Sequence, residues 1–334
     1  MIGVTAPAGR ARPLPLTSPP FPNETVRSYA ARLALLNGIP PKHVLRRFYS
    51  AERPLDRLDL LAVRSGQTPK SLRKALPELT TATAWHHPGY PLINRTWACD
   101  FCAAAHTGKT SWRIEIWGLR DLNQLCVKHR RWTGSGTAYD SYFERSVEIP
   151  STGQCSVAQA PEIVEAQHRL HRLCRHSRYR RILPAYEECS KFWRDLTRHG
   201  YAADRTERRL RLIHPDETSR HRPYPYAEAA DFPDVVQVAA LFASFYWRKQ
   251  ALGSQGEVQR FRREFDRRLP AERKLRTTAI PWLQEEIVRL AQRVDEAVRH
   301  HEASLDGLVT AHPHDQFPPL LIRRILKRSP AHAR

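Results

Sequence analysis

The stretch that decides how this chain folds begins Trp97-Ala98-Cys99-Asp100-Phe101-Cys102. It passes through Trp112 and Trp117 and resumes as Leu125-Cys126-Val127-Lys128-His129-Arg130-Arg131-Trp132, closing on Gly134. A Cys-x2-Cys pair thus precedes a Cys-x2-His pair, with 23 residues between them. Each short spacing makes a tight turn that points two donors at one ion, and two such turns supply the four tetrahedral corners of zinc. Cys99, Cys102, Cys126 and His129 are therefore the expected ligands of one structural Zn2+, with all four positions filled by protein and none left for water. The long interval implies a small subdomain rather than a minimal finger. Within it, Arg113-Ile114-Glu115-Ile116-Trp117 alternates like a short strand, and Trp112 and Trp117 are expected to pack beside the metal.

Towards the N-terminus, residues 1–20 read as a disordered Pro- and Ala-rich lead-in without the apolar centre of a secretory signal. Asn23 is placed to cap a helix from Thr25 to Leu36, whose apolar residues Val26, Tyr29, Ala30, Leu33 and Leu36 keep helical spacing. Asn37-Gly38 stops that helix, and Pro40-Pro41 opens another through Val44, Leu45 and Phe48. A second pair follows. Leu55, Leu58, Leu61 and Ala62 form one stripe, Gly66 breaks it, and Pro69 to Leu79 restarts with Leu72, Ala75 and Leu76. A small residue where two helices meet, a glycine at the turn and leucines under the second helix describe a helix-turn-helix, with Lys70, Arg73 and Lys74 offered to nucleic acid. A protein partner for the same hairpin is equally compatible with the pattern. Residues 80–94 read as a Pro/Gly-punctuated connection in which His86 and His87 are surface histidines.

Beyond Gly134 the signals are helical. Residues 161–172 and 179–198 are amphipathic and basic, with Arg175, Arg178, Arg180 and Arg181 as the sharpest charge cluster. Residues 213–233 read as a polar, Pro-rich connector. Val235 to Leu252 reads as an apolar core helix around Phe242, Phe245, Tyr246 and Trp247, and residues 260–268 and 283–300 as further amphipathic helices. The tail, 313–334, is basic and amphipathic, fit for a partner groove or an acidic surface.

The chain is 334 residues long, 41% apolar and 26% charged, as expected of a globular protein with a sizeable core. No stretch approaches the length of about 18 apolar residues that would span a membrane. Lysine and arginine exceed aspartate and glutamate, 54 to 34, giving a formal charge of +20. A field of that sign draws polyanions, and arginine's planar fork suits phosphate, so nucleic acid is the expected partner. Six cysteines without a signal peptide suggest a reducing cytoplasm and metal ligation rather than disulfides. Cys155, Cys174 and Cys189 are expected as buried thiols. A second metal site combining them with His168, His171 or His176 is the alternative.

Several chemistries lack their motifs. There is no Gly-x4-Gly-Lys-Ser/Thr loop, no Gly-x-Gly-x-x-Gly, no Gly-x-Ser-x-Gly and no His-Glu-x-x-His. The acidic residues do not form the spaced set of a two-metal nuclease. The expectation is a binding module or adaptor, not an enzyme.

In their order, the Pro-rich lead, Asn23-Glu24-Thr25-Val26-Arg27-Ser28-Tyr29-Ala30-Ala31-Arg32-Leu33, the leucine-rich helical pairs, Cys-x2-Cys and Cys-x2-His-x-x-Trp resemble the TniQ family over about Pro13 to Gly134. These are accessory proteins of Tn7-like and related transposons. The resemblance places Glu24, Ser28, Arg32 and Leu33 in the family's polar-helix motif and Cys99, Cys102, Cys126 and His129 in its first zinc site. It implies an adaptor in target-site selection that bridges DNA, or a nucleic-acid-guided complex, to an AAA+ ATPase transposition regulator. A homodimer is compatible with it. The chain lacks the second Cys-x2-Cys that many members carry after the histidine. The combined expectation is a mainly α protein: a lead-in (1–20), a helical TniQ-like module with a helix-turn-helix-like hairpin (21–94), a zinc-ribbon-like subdomain with short strands (95–136) and a basic all-helical C-terminal region (155–334). A zinc-containing helix-turn-helix transcription regulator is the competing reading.

Overall fold

The N-terminal helix α1 (Val26–Leu36) is set by its flanks as much as by its own sequence. In this computed structural model, residues 12–43, 54–79, 93–108, 113–119, 124–134, 154–174, 179–198, 203–213, 224–269 and 280–311 are described. Thr25, not Asn23, caps α1: its hydroxyl accepts the backbone N–H of Ser28 at 3.0 Å. Asn23 instead takes a left-handed backbone (φ 61°), a conformation its short polar side chain tolerates, and its carbonyl accepts the Trp117 N–H at 2.8 Å. At the other end the Asn37-Gly38 stop holds, with Gly38 at φ 66°.

The helical pair expected after it forms as α2 (Pro54–Ser65) and α3 (Pro69–Ala75), followed by a 3-10 turn at Pro77–Leu79. Gly66, at φ 64°, makes the left-handed step that ends α2 without steric cost. Thr68 then caps α3 by accepting from Ser71 N at 3.1 Å, and Pro69 takes the first-turn position where no donor is needed. Val26, Tyr29, Leu33, Leu58, Leu61, Leu72 and Leu76 share one core with Leu14. Leu14 belongs to the stretch read as a disordered lead-in. From Arg12 onwards that stretch is held on the helices by Leu14 N to Arg64 O at 3.0 Å and by Leu16 against the Asn37 amide. Residues 1–11 and the expected Val44, Leu45 and Phe48 lie outside the described residues.

The described residues fall into two units, one built from 12–79 and 95–118, the other from 93–94, 119–134 and 154–311. The first also carries β1 (Ile93–Trp97) at its boundary, α4 (Asp100–Thr107) and β2 (Glu115–Leu119), with β1 and β2 paired in a two-stranded sheet. The strand read from Arg113 to Trp117 is thus β2, and Ile114 is buried with Ala98 and Ala103 against Phe21 and Ile116.

In the second unit β3 (Leu125–Cys126), β4 (Arg131–Trp132) and β5 (Cys155–Ser156) form an antiparallel sheet in that order, with Leu125 opposite Trp132 and Trp132 opposite Cys155. Among the described residues seven helices follow: α5 (Pro161–Leu173), α6 (Tyr179–Arg198), α7 (Ala203–Ile213), α8 (Tyr224–Phe242), α9 (Phe245–Ala251), α10 (Gln255–Arg268) and α11 (Ile280–Ala311). The central one is α8, packed on α5, α6 and α7. It buries Ala229, Ala230, Phe232, Val235, Val236, Val238, Ala239, Leu241 and Phe242, while Asp231 and Asp234 form a polar stripe held by Thr206 and Arg209 of α7. Phe232 meets Trp132 (ring centroids 5.0 Å apart) and Tyr186 (6.1 Å).

Two readings are corrected here. The connector expected at 213–233 is helical from Tyr224, because Pro225 sits in the first turn of α8, where proline is tolerated. The single core helix expected from Val235 to Leu252 breaks after Phe242, and Phe245 and Tyr246 on α9 are 63% and 55% exposed. The tail at 313–334 lies outside the described residues.

Candidate metal centre

Cys99 is the residue before α4 and Cys102 the third within it, so one helical turn carries both thiols at the helix N-terminus. The Cys99 carbonyl accepts the first helical bond from Ala103 N at 2.8 Å. A helix N-terminus presents partial positive charge, which favours the thiolate that a metal needs. The second pair is built differently. Cys126 ends β3, the chain turns through Val127 to Arg130, and Arg131 pairs back with Cys126. Arg130 closes this turn at φ 48°, a left-handed conformation that costs a non-glycine residue about 1 kcal/mol. The turn brings Nδ1 of His129 to 3.7 Å from Cys126 Sγ.

The four ligand atoms of Cys99, Cys102, Cys126 and His129 all lie within 4.8 Å of one another. A tetrahedron with metal–sulfur bonds of about 2.3 Å has edges of about 3.8 Å, so the cluster has the size of a coordination sphere. Cys99 and Cys126 are buried, and Cys102 and His129 half-buried. Three thiols and an imidazole at this spacing can hold one metal ion. Among the described residues no other group of metal-ligating side chains converges.

The remaining cysteines are neutral, buried thiols. Burial pushes Cys155 up to about 11 and Cys174 and Cys189 well above the ordinary thiol range. His171 is occupied by Gln167, whose amide donates to its ring nitrogen at 2.8 Å, and His176 lies outside the described residues.

Beside the Cys99–Cys102 turn, a polar network ties α1 to β2. Arg32 and Glu24 are both buried and paired at 2.9 Å. Ser28 Oγ donates to Glu24 Oε1 at 3.0 Å and accepts the Glu115 N–H at 3.1 Å. Thr25 Oγ1 donates to Glu115 Oε1 at 2.9 Å, and Thr25 N to the Glu115 carbonyl at 2.9 Å. Glu78, from the 3-10 turn, accepts the first α1 N–H, of Val26, at 2.9 Å and the Trp117 indole N–H at 2.5 Å. The structure therefore places the Trp117 indole on Glu78, while Trp112 lies outside the described residues. Glu78 and Glu115 were not singled out from sequence. The only trace of Glu115 is a carboxylate inside the strand Arg-Ile-Glu-Ile-Trp.

Of the cations expected to meet nucleic acid, Lys70, Arg73 and Lys74 are exposed on α3. Arg181 is exposed on α6 and ion-paired with Glu302 at 3.2 Å. Arg175 and Arg178, and the side chain of Arg180, lie outside the described residues.

No helix among the described residues is long and apolar enough to cross a membrane. Comparison with curated proteins and with solved structures finds no match. The family model TniQ matches residues 15–131, a span that opens in the lead-in held on α1 and closes two residues after the last metal-ligating side chain. Residues 15–131 thus carry a TniQ domain, which suggests a transposition-associated role.

Proposed function

We propose that this chain is an adaptor in target-site selection for DNA transposition. It joins a nucleic-acid recognition element, DNA itself or a nucleic-acid-guided complex, to an AAA+ ATPase that regulates the transposase. The observation that carries this reading is the TniQ match over residues 15–131, which takes in both the Glu24–Arg32 network and all four metal-ligating side chains. The formal charge of +20 supports a polyanionic partner.

The ion is zinc, one per chain. Three thiolates and an imidazole suit its borderline softness, and four protein ligands leave no open position, so the metal organises the backbone around it and does no chemistry. Lys70, Arg73 and Lys74 on α3, with Arg175, Arg178, Arg180 and Arg181, contact phosphates. The functional division follows residues 21–94, 95–136 and 155–334, and the protein works in the cytoplasm. The test is a transposition assay with the gene deleted and restored. Insertions should lose their preferred sites on deletion and regain them on restoration. An insertion profile unchanged by deletion would overturn the reading.

The hairpin α2–Gly66–α3, with its exposed cations, favours a second reading, a zinc-containing helix-turn-helix transcription regulator. Sequence-specific binding to a palindromic operator, with no ATPase partner, would decide for it.

A further inference from the structure

Phe245 and Tyr246, at the start of α9, are 63% and 55% exposed, more than any other large apolar side chain among the described residues. Both rings are nevertheless braced. Arg248 lies over the Phe245 ring, 5.9 Å from its centroid. Its guanidinium is itself fixed by the carbonyls of Phe242 (2.8 Å) and Ala243 (3.2 Å) and by Asp295 of α11 (3.2 Å). Tyr246 stands edge-on to Trp247 (centroids 4.9 Å apart), and Trp247 edge-on to the buried Phe261 of α10 (6.3 Å). Helical spacing puts Lys249 and Leu252 on the same side as Phe245, with Tyr246 flanking them. All four are exposed, while Arg248, Gln250 and Ala251 turn into the protein. Folding gains nothing from rings held rigid in water, whereas a partner that stacks on them gains from the rigidity.

Area and charge say which partner fits. The exposed parts of the two rings offer roughly 250 Å2, far below the ~800 Å2 that each side gives to a stable protein interface. The same rings suffice to stack one or two bases. No acidic residue occurs from Val235 to Gly256. The next carboxylate, Glu257, accepts from Ser254 N (2.7 Å), Ser254 Oγ (2.9 Å) and the Gln250 amide (3.3 Å). Lys249 feels Glu257 through space without forming an ion pair with it. Rings for bases beside a cation for phosphate suit a single strand, since a duplex keeps its bases stacked on one another. The Tyr246 hydroxyl is the one acceptor on this face, too little to select a ribose 2′-hydroxyl.

We propose that Phe245, Tyr246 and Lys249 form a binding site for single-stranded DNA, with bases stacked on the two rings and a phosphate on the lysine. The site goes beyond the adaptor reading and does not depend on it.

The test is fluorescence anisotropy of the full chain with labelled oligothymidylate, oligouridylate of equal length and a DNA duplex, across a salt series. Phe245→Ala/Tyr246→Ala should lose at least about tenfold in affinity for oligothymidylate at an unchanged salt slope, because the rings are neutral, and less than about twofold for the duplex. Phe245→Leu/Tyr246→Leu, apolar but without rings, should lose as much, and Phe245→Trp should bind at least as tightly as the wild type. Lys249→Gln should lower the slope of log affinity against log salt by about 0.7. Unchanged melting temperatures check that the variants fold. Full affinity without the rings, an equal loss with the duplex, or an unchanged slope in Lys249→Gln would overturn the site. Leucine variants that bind like the wild type would replace base stacking with an apolar protein contact. Tighter binding of oligouridylate, lost in the same variants, would overturn DNA in favour of RNA.

Discussion

Arg32 and Glu24, 1% and 0% exposed, form a forked ion pair in which Arg32 Nε donates to Glu24 Oε1 at 3.0 Å and Nη2 to Oε2 at 2.9 Å. The guanidinium's other donors also find acceptors: Nη1 donates to Ser18 Oγ at 2.8 Å and Nη2 to the Pro19 carbonyl at 3.0 Å. The carboxylate accepts in addition from Ser28 Oγ and from Phe21 N. A buried pair with its remaining hydrogen-bonding sites filled fixes register more than it adds stability. Here it fixes where the lead-in crosses α1.

Removing one partner strands the other. Arg32→Ala is expected to cost about 3–5 kcal/mol, read from the urea midpoint of the N-terminal unit, because Glu24 is left charged and buried. A cost below about 1 kcal/mol would mean that the pair is solvated.

Metal analysis of the purified chain should give about one zinc per chain, falling to near zero in Cys99→Ser. Chelation should unfold the residues around the four ligands, visible as a partial loss of ordered amide resonances. A chain that melts identically with and without metal would show that the cluster is not structural.

Glu78 makes stability depend on pH. Burial, reinforced by the charge of Glu115 and opposed by the donors Trp117 and Val26 and by Arg95, raises its carboxyl from 4.5 to about 7. The folded chain therefore keeps a proton on Glu78 that the unfolded chain has released. This contribution is fully present below about pH 4.5 and is lost as pH rises through 7. Its size is on the order of 3 kcal/mol. Glu78→Gln should remove that component of the slope, so the wild-type minus variant difference in unfolding free energy should shrink between pH 5 and pH 8. A difference that is flat with pH would show that Glu78 titrates normally.

Binding through the α3 cations is tested by Lys70→Gln/Arg73→Gln/Lys74→Gln. All three side chains are exposed, so the fold should be unaffected. If they touch phosphates, the salt slope for duplex DNA should fall by as much as about 2.7. An unchanged slope with a lost protein partner would assign the hairpin to protein contact.

Periodicity made α1, α2, α3, α5 and α6 legible, since leucine and alanine stripes report a buried face directly. Cysteine and histidine spacing likewise pointed to the four residues that the fold brings together. Other features depend on partners distant in sequence. Glu115 is a carboxylate in a strand until Thr25 and Ser28 come to meet it, and Glu78 is a surface acid until Trp117 reaches it. Asn23 and Thr25 are both good caps, and the contact of Asn23 with β2 decides between them. Phe245 and Tyr246 follow Phe242 in one apolar run, yet the helix break at Ala243 and Ser244 turns them outward.

The most direct test of the adaptor reading is a genome-wide footprint of the tagged protein, with co-purifying proteins identified from the same pull-down. Occupancy at one or a few insertion sites, with an AAA+ ATPase recovered alongside, is the predicted result. Occupancy at promoters without the ATPase, or diffuse occupancy that vanishes with modest salt, would contradict it.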